Sequence, residues 1–132
     1  PYLYSLTLTK CLFSYSFLFN LKSSSIRRLY LYELGCFNEE HCDNLINSPL
    51  GIQCDELYIT VKERSNIVNL INQMKNLRVL YIRYQEDKWK RNDNELPTQN
   101  ELVKWLQDNL SKNYVITKSN TNDFSYIQCW IR

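Results

Sequence analysis

The chain has 132 residues, 44% of them hydrophobic, which suits one core and one domain. Sixteen basic against 14 acidic residues leave a net charge of +2, too even a balance to mark a nucleic-acid or anionic-membrane binder. Five cysteines, an odd number with no C-x-x-C pair, give no disulfide framework and point to a reducing compartment, cytoplasm or nucleus.

In chain order, the first predicted element is a short strand at Leu3-x-x-Leu6-x-Leu8. Residues 11–21 form the most apolar run. Lys10 and Asn20 interrupt it, and it is shorter than the roughly 20 apolar residues of a membrane span. The strand pattern returns at Ile26-x-x-Leu29-x-Leu31. Asn38 then caps a helix over Glu39–Asn47, with Glu39 and Glu40 at its positive end and Cys42, Leu45 and Ile46 on one face. Pro49 and Gly51 are expected to stop it. The third copy, Cys54-x-x-Leu57-x-Ile59, leads into a helix over 66–75 capped by Ser65, with Ile67, Leu70, Ile71 and Met74 inward. The fourth, Leu77-x-x-Leu80-x-Ile82, leads into a charged stretch, 85–96, that reads as an exposed loop. Pro97 and the capping box Thr98-x-x-Glu101 open a helix to about Leu110, with Leu102, Val103, Leu106 and Leu110 inward. Strand-like segments at 114–117 and 124–131, joined by a polar turn at 118–123, predict a hairpin that adds an antiparallel edge strand. In its second arm Ile127, Cys129 and Ile131 alternate with Tyr126, Gln128 and Trp130.

The central leucines, Leu6, Leu29, Leu57 and Leu80, are 23, 28 and 23 residues apart. L-x-x-L-x-L at spacings of about 20–29 is the signature of a leucine-rich repeat. The copies delimit repeats at about 1–25, 26–53, 54–76 and 77–110, with a cap at about 111–132, all in one domain. A strand followed by a returning segment, repeated, predicts right-handed crossovers. The expected fold is α/β: a leucine-rich-repeat-like open solenoid, its parallel sheet carrying helices on the convex face and ending in a β-hairpin cap. The first copy continues into the longer motif with Cys11 and Phe13, whereas Leu34, Lys62 and Gln85 hold the Cys/Asn place later, so no regular ladder is expected there. With nothing to cap the array before Leu3 and a first residue Pro1, the chain reads as a piece of a longer protein.

The segments MKNLRVLYI, LPTQNELVKWLQDNL, YVITK and QCWIR resemble the tail of F-box-type leucine-rich-repeat proteins. The resemblance implies a substrate-selecting role: in that family an N-terminal F-box docks on a cullin-based ubiquitin ligase and the repeats choose the substrate. No F-box lies in this sequence, so ligase components would be reached only through such a segment outside it. A leucine-rich-repeat scaffold or inhibitor with no ligase link is the alternative, and an enzyme with an unrecognised site the remote one.

Chemistry-bearing motifs are few. The one histidine, His41, has no nucleophile motif near it and reads as a helix-surface residue. Two glycines cannot build a phosphate-cradling loop. Cys36, His41, Cys42 and Cys54 lack zinc-ligand spacing. Lys88-Trp89-Lys90-Arg91 interleaves base and aromatic but is flanked by Glu86, Asp87, Asp93 and Glu95, which cancels the field. The triplet Asn109-Leu110-Ser111 matches a glycosylation sequon, which arises often by chance. No catalysis, cofactor or metal is expected, and neither nucleic acid nor membrane as partner.

The geometry of the repeats is more informative. Alternation along each strand sends the places between the hydrophobics to the concave face. The central place there holds Thr7, Tyr30, Tyr58 and Tyr81, the place before it Ser5, Arg28, Glu56 and Val79, and the place after it Thr9, Tyr32, Thr60 and Arg83. Three tyrosines should line up about 4.8 Å apart. Such a row could be cross-strand packing, or a binding stripe, since tyrosine and arginine are favoured in hot spots. The expected site for a protein partner is Arg28, Tyr30, Tyr32, Glu56, Tyr58, Val79, Tyr81 and Arg83.

Overall fold

Leucine alternating with tyrosine does make strands. The computed structural model describes residues 5–7, 15–84, 99–110, 114–120 and 125–131. Among these, β1 (Ser5–Thr7), β2 (Arg28–Tyr30), β3 (Cys36–Phe37), β4 (Glu56–Val61), β5 (Val79–Tyr84), β6 (Tyr114–Asn120) and β7 (Ser125–Ile131) join in one sheet. Its order is β1-β2-β4-β5-β7-β6, with β3 beside β4. The first five strands pair parallel and the last two antiparallel, so the fold is α/β with a mostly parallel mixed sheet. The central leucines fall in one row: Leu6 opposite Leu29, Leu29 opposite Leu57, Leu57 opposite Leu80.

That row faces five helices: α1 (Tyr15–Asn20), α2 (Glu39–Asn47), α3 (Pro49–Gln53), α4 (Arg64–Gln73) and α5 (Gln99–Asn109). Leu29, Leu57 and Leu80 are fully buried in one cluster with Leu18, Leu45, Leu50, Leu70 and Leu106 from the helices. Each such leucine contributes about 1.5–3 kcal/mol by leaving water. Ile127 and Cys129 carry the same core under β7. No helix among the described residues is long and apolar enough to cross a membrane.

Several local expectations need correction. Helix α2 starts and ends as predicted, with the Asn38 side chain accepting from the His41 N–H at 2.8 Å. Helix α2 stops at Asn47, but Pro49 and Gly51 then belong to a second helix that follows at once. The Ser48 hydroxyl donates to Leu45 O and accepts from the Gly51 N–H, and Pro49 opens α3, where a missing N–H costs nothing. Gly51 sits inside α3 because the backbones meet there: a Cβ would lie 1.7 Å from Leu45 O. Helix α4 begins at Arg64 with Glu63, not Ser65, at its N-cap and no side-chain capping bond, so the cap geometry did not follow the residue type. The hairpin adds two strands, not one, with β7 against β5 and β6 at the edge.

The second repeat strand is also broken. β2 covers only Arg28–Tyr30, after which Leu31 N–H donates to Tyr58 O and the chain turns, Leu34 N–H bonding to Leu31 O. Gly35, at φ 131°, brings it back so that Cys36 and Phe37 rejoin β4 opposite Thr60 and Val61. Glycine alone takes that φ without strain. Tyr32 therefore lies in the turn, and Cys36 takes the place expected of it opposite Thr60. Leu3, Leu8, Thr9, Cys11, Phe13, the stretch 85–96, Pro97, Thr98 and Ser111 lie outside the described residues, as do the side chains of Glu101 and Leu102.

Candidate partner-binding face

Leu57 and Ile59 of β4 point into the helical core, so Glu56, Tyr58 and Thr60 between them point the other way. Parallel pairing in register repeats this on each strand: Thr7 opposite Tyr30, Tyr30 opposite Tyr58, Tyr58 opposite Tyr81. The three tyrosines stand as one half-buried stack. Tyr30 and Tyr58 are 4.3 Å apart between ring centroids at 19°, and Tyr58 and Tyr81 are 4.1 Å apart at 2°. Each contact adds about 0.5–1.5 kcal/mol beyond area burial, so the ladder stabilises the sheet whatever else it does.

The polar groups beside it are tied to it. The Tyr58 hydroxyl donates to Glu56 Oε1 at 2.5 Å, and Arg28 Nε stands 3.0 Å from Glu56 Oε2. Burial first, and then the bond to Glu56, push the Tyr58 phenol well above its ordinary pKa. Gln128 Nε2 donates to the Tyr81 hydroxyl at 3.1 Å and fixes the other end of the stack.

Of the eight expected residues, Arg28, Tyr30, Glu56, Tyr58, Val79, Tyr81 and Arg83 share this face, Val79 only 8% exposed. Tyr32 and Arg83 do a different job. The Tyr32 ring meets Tyr58 edge-on at 5.8 Å. Arg83 lies over the Tyr32 ring at 4.9 Å, donates to Tyr32 O at 2.9 Å and reaches Thr60 Oγ1 at 3.2 Å. Arg83 thus clamps the turn after β2 onto β4 and β5.

The face extends further than expected. Opposed residues of an antiparallel pair share a side, and Tyr81 stands opposite Gln128, Val79 opposite Trp130, Thr117 opposite Gln128 and Val115 opposite Trp130. Gln128, Trp130, Thr117 and Val115 therefore continue the tyrosine side across β7 and β6. The alternation of Tyr126, Gln128 and Trp130 was the available signal; only the pairing register says which side they take.

Elsewhere, His41 is half-buried. It stacks on Tyr15 at 3.9 Å, and its Nδ1 accepts from the Asn38 N–H, completing a capping box in which histidine replaces the usual glutamate. Among the described residues no three of His, Cys, Asp and Glu converge as metal ligands would. No protein-family model, no curated protein and no solved structure matches the chain.

Proposed function

We propose that the chain is a protein-recognition module of leucine-rich-repeat type, an open array whose sheet face opposite the described helices receives a partner protein. One observation carries this reading: three tyrosines stacked in register on the side of the sheet opposite the helices. Aromatic rings fixed by their neighbours bind without losing rotamer freedom, which lowers the entropic cost of association. The module performs no chemical step itself. The resemblance to F-box-type repeats supports a narrower version, in which the face selects substrates for a ubiquitin ligase.

The test is capture from cells with the chain and its Tyr58→Ala variant side by side. A true partner is retained by the parent and about 30-fold less by the variant, the roughly 2 kcal/mol of a central hot spot. The variant should stay folded, giving up about 1–3 kcal/mol of stacking. Retention independent of Tyr58 and of Tyr81 would make the ladder purely structural. Cullin-ligase subunits co-purifying with the full-length protein would support the substrate-selecting version; their absence would leave a scaffold or inhibitor.

A further inference from the structure

A phenol that loses one electron becomes a strong acid, so its proton must leave with the electron or the oxidation stalls. Tyr58 has a receiver in place. Its hydroxyl donates to Glu56 Oε1 at 2.5 Å, within the range of a charge-assisted O–H···O⁻ bond. The other Glu56 oxygen is held by Arg28 Nε at 3.0 Å, which keeps the carboxylate aimed at Tyr58. Burial and the bond to Glu56 keep the phenol protonated well beyond its ordinary range, so the proton does not depart beforehand.

The stack supplies a second condition. Tyr58 has Tyr81 on one face at 4.1 Å and Tyr30 on the other at 4.3 Å, both close to parallel. Rings at that separation overlap, so an electron deficit on the middle ring spreads over its neighbours and costs less there. Other tyrosines lack the proton receiver. The Tyr81 hydroxyl accepts from the Gln128 amide, a donor that takes no proton. The Tyr15 hydroxyl donates to Cys36 O, a peptide oxygen too weakly basic to keep one.

We infer that Tyr58 is a redox site, giving one electron to a diffusible one-electron oxidant such as an oxygen-centred radical while its proton passes to Glu56. The phenolic O–H bond breaks and a new O–H bond forms on Glu56 Oε1. The products are a neutral Tyr58 phenoxyl radical shared with the stack, a protonated Glu56 and the reduced oxidant. Arg28 opposes the step, because its charge favours the Glu56 carboxylate over the neutral acid. This chemistry goes beyond the recognition reading and needs no protein partner.

Oxidation of the full chain at neutral pH by photogenerated tris(bipyridine)ruthenium(III) tests this. Phenoxyl absorption gives the rate, and electron paramagnetic resonance identifies the radical. The parent should form a tyrosyl radical, and more slowly in heavy water than in ordinary water. Tyr58→Phe and, separately, Glu56→Gln should each slow it about tenfold or more, a modest loss for a positioned proton acceptor. Arg28→Gln should speed it up, whereas an ion pair that only positions Tyr58 would make both partners' variants slow. All three variants should retain the parent far-ultraviolet circular dichroism. A rate indifferent to Tyr58→Phe or to Glu56→Gln, a rate lowered by Arg28→Gln, or a parent radical residing on tryptophan would overturn the inference. So would the absence of a solvent isotope effect, which is read on the parent and decides even where a variant unfolds.

Discussion

At Leu57 and Tyr58, two adjacent residues send their side chains to opposite sides of the sheet. Leu57 is fully buried, so Leu57→Ala should cost about 2–5 kcal/mol in a urea melt and leave a surviving folded fraction able to bind. Tyr58→Ala should cost less stability and more affinity, and the contrast between the two is the measurement. The buried thiols make a separate prediction. Burial pushes Cys42, Cys54 and Cys129 up to about 12. Below the unfolded thiol value, 9.0, both states hold the proton and these groups lose nothing. As pH rises from there, the unfolded chain ionises first and stability drains away until about 12. The raised Tyr58 phenol acts in the same direction, from the pH at which an unfolded phenol ionises, 10.0, upward. Urea midpoints should therefore fall steadily on the alkaline side, and Cys129→Ala should make the fall shallower.

At the level of elements, legibility depended on whether a signal was local. Asn38 with two glutamates after it marks the start of α2 in sequence and in structure, because a cap needs only its own first turn. Asn38→Ala should cost about 1 kcal/mol in a thermal melt. Pro49 was ambiguous, since proline both follows a finished helix and opens a new one. Ser48 decides between them by bonding to both sides, a bridge no pattern of residue types announces. Gly51 reads as a breaker yet serves as a close-approach point. Gly51→Ala should lose about 1–3 kcal/mol or more, because the obstructing atom is backbone and cannot swing away. The break between β2 and β3 was illegible for a similar reason. Tyr32 fits the strand pattern, and only Gly35 hints that the chain leaves the sheet. Gly35→Ala should cost about 1–3 kcal/mol, with its Cβ also 2.8 Å from the Tyr15 hydroxyl.

For the whole molecule, the repeat spacing carried the parallel strands and the three tyrosines, since a period of two and a fixed leucine place suffice to predict which residues align. It could not carry Trp130 and Val115 onto the same face, because that depends on antiparallel register with β5. Residues 124–132 include β7 (Ser125–Ile131), which pairs β5 on one side and β6 on the other. Deleting them should bare the β5 edge and the core surface met by Ile127 and Cys129, and size-exclusion chromatography should show aggregation. A truncated chain that stays monomeric and equally stable would mean the parallel part is self-sufficient.

Three phenol rings held nearly parallel at 4.1 and 4.3 Å are close enough for their electronic transitions to couple. The stack should thus give a near-ultraviolet circular dichroism band that isolated tyrosines lack. A slip of one residue between β2, β4 and β5 would turn alternate side chains to the other side and abolish it. The sheet therefore carries an intrinsic optical reporter of its own alignment, readable during refolding without any attached label.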